Sequence, residues 1–412
     1  MSILLNWWLL LVIATSINVI AQSEGHLTIR GVVLDKETGE PLAYASIGVA
    51  NQGLGTITND IGQFLLKVPD RFRNDTIIVS YLGYARYKDV ISKLGNQENL
   101  RITLASVPTI LKEIAIQAER LNAGQIIEKA IAAIKENYPT DAFILEGFFR
   151  EIQKQDEDYV ELTEAAIKIF DKNFQRKLNH GITEEVLILE ARKSINYADP
   201  IIQRVRKQNA IMDLLDNNPV HYPRGLLNTK YYSYQIDSVF QSQDDMIYII
   251  STIPGNHRIY VAESNYAIIK TVEEVREGNA YKRPEFNLSD SLKVSRMAYF
   301  KAVSEFQRYN GKMYLKYSSE TDAFEVLERS SHKRKYLVES YKEFVVTNIV
   351  DKNVAPFDKR ETYKFSEDIV GKAYNPVFWN NLSTIQLSPL HPQVQHSLER
   401  EISLRDQFFI RE

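Results

Sequence analysis

TITNDIGQFLLKVP, Thr56 to Pro69, decides how the first part of the chain is read. A strand ends at the polar turn Asn59-Asp60-Ile61-Gly62, and the next begins at once, with Phe64, Leu66 and Val68 on one face. Working outward, LTIRGVVLDKETGEPLAYASIGV (Leu27 to Val49) alternates at Leu27, Ile29, Gly31 and Val33 and turns at Glu37-Thr38-Gly39-Glu40-Pro41. Asn51 to Gly55 is a Gly-punctuated connection. DTIIVSYLGYARYKDVI (Asp75 to Ile91) alternates again at Ile77, Val79 and Tyr81, and Leu100 to Leu104 closes as a last strand. Together these make a small β-sandwich spanning residues 23–105. Glu37 and Asp60 are candidates for calcium, but a calcium loop needs about six oxygen ligands and this turn offers two or three. The residues read better as a hairpin turn, in which Asn and Asp tolerate the backbone and Gly supplies positive φ.

The run GVVLDKETGEPLAYASIGVANQGLGTITNDIGQFLLKVP, followed by IIVSYLGYARYKDVI, resembles the carboxypeptidase-regulatory-like domain. The resemblance implies a transthyretin-like β-sandwich of the sort found at the front of Bacteroidetes envelope proteins, including TonB-dependent receptors. It implies no peptidase residues. The connector at 106–124 contains TILKEIAIQAERL, similar to the strand that leads into a receptor plug. No plug-like sequence follows, and no series of amphipathic strands long enough for a transmembrane barrel.

The chain has 412 residues, enough for two or three domains, with 44% hydrophobic and 25% charged residues, as in folded globular proteins. A net charge of −3 argues against general nucleic-acid binding, which requires a basic surface. The absence of cysteine excludes disulfides, thiolate metal ligands and thiol catalysis. Residues 1–21, with the apolar run Trp7 to Ala14 and the small-residue end Val19-Ile20-Ala21, read as a signal peptide. No Lys or Arg precedes that run. The protein is accordingly expected to be exported, to the periplasm or the outer membrane, with no transmembrane span in the mature chain.

Residues 125–412 read as an α+β domain on an antiparallel sheet, so the fold class is mainly β, with the sandwich followed by this larger domain. Ile127, Ala130, Ile131 and Ile134 place a helix over Gln125 to Tyr138, ended by Pro139. Phe143 to Ile152 and Asp158 to Phe170 form a hairpin, Glu184 to Ile195 a further strand, and Pro200 to about Leu215 a helix with Pro at its start. From Lys230 the pattern is β, in YYSYQIDSVF, MIYIISTIP, RIYVAESNYAIIKTVEEV, KMYLKYSSETDAFEVLE and YLVESYKEFVVTNI. Their period-two amphipathicity suits a meander with one covered face. Ser397 to Phe408 is read as a terminal helix. The order LKEI, IIEKAI, FILEGFFREI, EARKS is similar to the region that follows the same module in a set of Bacteroidetes proteins, and the later strands are similar to the half-barrel of periplasmic lipoprotein carriers.

No Gly-x-Ser-x-Gly elbow, zinc helix, phosphate loop or dinucleotide fingerprint is present. The seven histidines are scattered, and His391 and His396, with Pro392 between them, read as loop residues. Glu146, Glu151, Glu161 and Glu164 lie on the hairpin with Arg150. Either two of them converge as an acid pair, or they make cross-strand charge pairs on a solvated face with Arg150 as partner. Arg192 and Lys193 suit an anionic group, or else a solvated strand end. Tyr231, Tyr232, Tyr234, Tyr248, Tyr260 and Tyr266 could line a groove for lipid, glycan or peptide, or be ordinary strand composition. No catalytic, cofactor-binding or metal residue is assigned and no cofactor is expected. The sequence reads as a non-enzymatic envelope protein, a β-sandwich docking module joined to a sheet domain that binds an envelope partner or an apolar or glycan ligand. The alternatives are a periplasmic lipid or lipoprotein carrier, with a dry cleft between Tyr231 and Val272, and a hydrolase using carboxylates of the 143–170 hairpin.

Overall fold

The computed structural model describes residues 25–95, 99–107, 121–173, 183–203, 210–221, 226–242, 245–255, 257–276, 286–363, 369, 373–381 and 389–410. The signal-peptide reading of 1–21 and most of the 106–124 connector fall outside them. No helix among the described residues is long and apolar enough to cross a membrane.

Strands β1 (His26–Asp35), β2 (Ser46–Val49), β3 (Gly55–Ile57), β4 (Gln63–Pro69), β5 (Thr76–Ser80), β6 (Tyr87–Val90) and β7 (Leu100–Leu104) build two small sheets. One has the order β4-β1-β7, with β1 antiparallel to β4 and parallel to β7; the other has the order β3-β2-β5-β6. Ile29, Phe64, Leu66, Val68, Ile47 and Val79 meet between them as one core, so the alternation read from sequence is the inner face of this sandwich. Gly31 interrupts the apolar alternation for a reason of space. A Cβ there would lie 2.3 Å from the Leu100 carbonyl oxygen across the β1–β7 pairing.

The Asn59–Gly62 turn is a correction to the hairpin reading. β3 and β4 belong to different sheets, so the turn carries the chain from one layer to the other. Asn59 Oδ1 accepts from the N–H groups of Ile61 and Gln63, and Gly62 takes φ +74°. The buried Thr58 hydroxyl donates to the Leu42 carbonyl and accepts from the Ala45 N–H, anchoring the crossing.

The larger unit is one eleven-stranded antiparallel sheet. Strands β8 (Phe143–Gln155), β9 (Asp158–Asp171) and β10 (Glu185–Lys193) form a meander at one end. Strands β11 (Ser233–Ser242), β12 (Asp245–Ile253), β13 (Arg258–Ala262), β14 (Ile268–Arg276), β15 (Phe286–Asn287), β16 (Leu292–Tyr309), β17 (Lys312–Glu328) and β18 (Arg334–Val350) form the rest. β18 pairs with β8, from Val338↔Gln155 to Val350↔Ile144, and fuses the two meanders.

One face of this sheet carries the main core. Phe149, Ile167 and Phe344 pack there with residues of the helices Ala123–Ala132 and Ala210–Asp216. The first helix is started by a capping box between Asn122 and Gln125. The helix expected over 125–138 stops at Ala133 and resumes as Ile134–Asn137, and the one expected over 200–215 is described as Pro200–Gln203 and Ala210–Asp216. The terminal helix expected over 397–408 is instead two helices, Pro392–Leu398 and Leu404–Gln407. Pro392 begins the first, behind the His391 cap, and Ser403 caps the second.

Expecting only one covered face for the strands after Lys230 was also incorrect: β17 is buried along most of its length because its second face is covered as well, and the same holds for β9 of the hairpin. Trp379 packs on Phe148 and Ala166, and Val394, Leu398 and Leu404 pack on Leu162. Ile57 of the sandwich packs on Tyr317 and Val345. The sandwich and the C-terminal helices therefore sit on the face opposite the main core, and they enclose the candidate site.

Candidate functional site

The antiparallel register across β18, β8, β9 and β10 sets four charged residues side by side. Glu343 is paired with Arg150, Arg150 with Glu164, and Glu164 with Arg192. Side chains of directly opposed residues share a face, so this register forces a row of alternating sign. Arg150 Nε and Nη2 donate to Glu164 Oε1 at 2.9 and 2.7 Å, and Arg192 Nε donates to Oε2 at 2.6 Å, so each guanidinium takes one oxygen of the same carboxylate. Arg150 Nη1 reaches Glu343 Oε1 at 3.3 Å. Side-chain exposure is 2% for Glu164 and 5% for Arg150, so the pair is removed from water. The cross-strand pairing read from sequence is present, but the solvated face is not: the sandwich and the C-terminal segment cover it.

Burial acts against the charge of each carboxylate, and the neighbours decide the outcome. Burial alone would push Glu164 up, but the guanidiniums of Arg192 and Arg150 hold it below the usual carboxylate range. Glu343 is pushed up by burial, with only partial offset from Arg150. Tyr341 donates to Glu343 Oε2 at 2.9 Å, and its hydroxyl lies 3.0 Å from that of Tyr317. Tyr44 of the sandwich stacks on Tyr317, with ring centroids 5.6 Å apart. It does so from φ +62°, a strained conformation for a bulky residue. Burial pushes its hydroxyl up to about 12.

Above this row lies a cleft of about 900 Å3. Arg150, Leu162, Glu164 and Arg192 line it from the sheet, Arg30, Val32, Leu65, Leu100 and Arg101 from the sandwich, and Tyr374, Leu390, Glu399, Arg405 and Phe408 from the C-terminal segment. Among the described residues its charged lining is five arginines against two glutamates. Arg192 is also held by aromatic faces, 4.3 Å from the Trp379 ring and 4.8 Å from that of Phe408. A smaller cavity of about 190 Å3 shares Arg150, Pro389 and Leu390 with the cleft and reaches Tyr44, Asp60 and Glu343.

The other sequence candidates separate. Glu146 and Glu164 lie on the cleft face, whereas Glu151 and Glu161 alternate onto the main-core face. Glu146 pairs with Lys168 at 2.6 Å and Glu161 with Lys193 at 3.1 Å, while Glu151 accepts from the Ser340 hydroxyl. The four carboxylates do not converge. Arg192 and Lys193, adjacent in sequence, go to opposite faces, and only Arg192 reaches the cleft. His391 caps the helix Pro392–Leu398 through Nδ1, and His396 lies exposed on that helix. Of the six tyrosines, Tyr231 is exposed, Tyr234 and Tyr248 are half-buried against the main core, and none lines either cavity. Asp60 and Glu37 do not meet as a cation site. Asp35 organises the Glu37 turn, accepting from the N–H groups of Glu37 and Thr38 and from the Tyr84 hydroxyl at 2.6 Å.

One cluster had no sequence signal. Asp171, Glu184 and His221 bring a metal-ligating atom each within 4.8 Å of one another. Their spacings of 13 and 37 residues match no metal motif, and only the fold assembles them. A second buried charge, Lys342 on the main-core face, reaches Glu320 at 2.7 Å and Asp213 at 3.0 Å. It ties the helix Ala210–Asp216 to the sheet and faces neither cavity.

No curated protein matches the chain in sequence. Among solved structures, a DUF1329 family protein from Desulfovibrio piger aligns at 8% identity and a TM-score of 0.24, over 57% of this chain and 96% of that one. A lipovitellin structure concerned with lipid–protein interactions aligns at 9% and 0.26, over 55% and 27%. A membrane-associated protein of unknown function from Bacteroides fragilis aligns at 12% and 0.16, over 79% and 98%. Likenesses this low carry no weight for function. Residues 29–116 match the CarboxypepD_reg-like domain family.

Proposed function

We propose that this is a non-enzymatic, exported binding protein of a Bacteroidetes-type cell envelope, whose ligand site is the cleft between the β-sandwich and the sheet. In this reading the sandwich is a docking module that supplies one wall of the site. The ligand is an anion with an apolar part. Among the described residues, the lining of five arginines against two glutamates carries the reading. Arg150 and Arg192 already hold Glu164, which leaves Arg30, Arg101 and Arg405 on the walls to meet a carboxylate or phosphate. Lys67, drawn down mainly by burial, is drawn down further by Arg30, so the positive field extends along this side of the sandwich. Leu65, Leu100, Leu390 and Phe408 offer apolar contact to the rest of the ligand. The export reading rests on the apolar N-terminal segment and the cysteine-free composition.

Native mass spectrometry of the mature chain, purified gently from the periplasm of its own host, tests the proposal. A stoichiometric adduct of an anionic molecule is expected, and the double variant Arg30→Ala/Arg101→Ala should lose it. A clean apo mass for the wild type, or an adduct retained by the variant, overturns it.

A further inference from the structure

We infer that Asp171, Glu184 and His221 form a binding site for a divalent transition-metal ion, with zinc the best match, at the end of the sheet and independent of the cleft. Asp171 is the last residue of β9 and Glu184 immediately precedes β10. The β9–β10 register pairs Glu185 with Phe170, and carried one residue further it sets Glu184 opposite Asp171. His221 arrives from the segment after the helix Ala210–Asp216, where Asn218 Oδ1 accepts from the Val220 and His221 N–H groups. Three separate stretches thus converge on one point.

The geometry is that of a coordination sphere. His221 Nε2 lies 3.6 Å from Asp171 Oδ2 and 3.1 Å from Glu184 Oε1. Ligands at zinc's usual 2.0–2.1 Å in a tetrahedron stand roughly 3.3–3.4 Å apart, and the two observed spacings bracket that value. Backbone groups also orient the carboxylates. The Asn173 N–H donates to Asp171 Oδ1 and the Thr183 N–H to Glu184 Oε2, and in each residue the other oxygen is the one turned to the imidazole. The side chains are 1% exposed for His221 and 6% for each carboxylate, so the site is closed to bulk water. One imidazole and two carboxylates, the ligand set among the described residues, suit zinc and its first-row neighbours. Binding would tie β9, β10 and the 210–221 segment together. None of the three residues lines either cavity.

The test uses the full mature chain, stripped with EDTA and titrated with Zn2+ by calorimetry and with Co2+ by visible absorption. One ion per chain is expected, with four-coordinate Co2+ bands that Zn2+ abolishes. Asp171→Asn and His221→Gln should each weaken Zn2+ binding at least 100-fold. Zinc binding that both folded variants retain marks a surface site and overturns the assignment. If a variant fails to fold, the wild type decides alone, and less than one-tenth of an ion per chain with no Co2+ band means the imidazole is an ion-pair partner instead.

Discussion

At the scale of single residues, Glu164 and Glu343 show how one row of charges can hold two carboxylates with opposite responses to pH. Glu164 sits between two guanidiniums and is held below its ordinary value of 4.5. Its contribution to stability is therefore present above the unfolded value and is lost as pH falls through the folded one. Glu343 shares only Arg150 and is raised above 4.5, so its contribution is present below the unfolded value and fades as pH rises through the folded one. Urea unfolding of Glu164→Gln and Glu343→Gln at pH 4 and pH 7.5 separates the two. Glu164→Gln should cost about 3 kcal/mol at pH 7.5, the scale of breaking a buried ion pair, and somewhat less at pH 4, where the unfolded carboxyl has begun to protonate. Glu343→Gln should leave pH 4 stability within about 0.5 kcal/mol and be neutral or stabilising at pH 7.5. Equal losses for both variants at both values would contradict the assigned shifts.

Among the elements, the Asn59–Gly62 turn shows what a sequence gives and withholds. The polar turn, the glycine at positive φ and the Phe64, Leu66, Val68 face are all legible, because each is a local property of the chain. That the turn links two layers is not, because a tight turn reads alike whether its strands pair or part. Replacing Gly62 with Ala should destabilise the protein by roughly 1–3 kcal/mol, since φ is +74° and the new Cβ would stand 2.7 Å from the Val33 carbonyl oxygen. Thermal melting of the full chain measures this, and an unchanged midpoint would refute it. The hairpin 143–170 was equally legible as two strands. Its burial was not, since Arg150 and Glu164 have the composition of a wet face and become core only when remote segments cover them. β16 holds a charge of the same kind, since its Glu305 is accommodated by Lys270 from β14 at 2.5 Å and Lys316 from β17 at 3.5 Å. The metal-ligating cluster left no trace at all, because its three residues become neighbours only through the β9–β10 register and the path of the chain to His221.

At the scale of the whole molecule, the sandwich and the sheet each have their own core and meet across a mixed seam. Ile57, Tyr317 and Val345 make its apolar part, with Tyr44 and the charged row alongside. Tyr44→Ala should therefore act at a distance in sequence. Amide exchange around Tyr341–Val345 of β18 should quicken several-fold while β12 and β13 stay unchanged, as hydrogen–deuterium exchange would show; uniform acceleration would point to general destabilisation instead. The topology of the sandwich has a mechanical consequence too. Its first and last strands are parallel neighbours, paired from Gly31↔Leu100 to Asp35↔Leu104, so the backbone comes in at one end of the module and departs from the other. A tether pulling on the segment before His26 and the segment after Leu104 would slide β1 along β7, loading all five pairings together in shear. An antiparallel arrangement would open them one at a time.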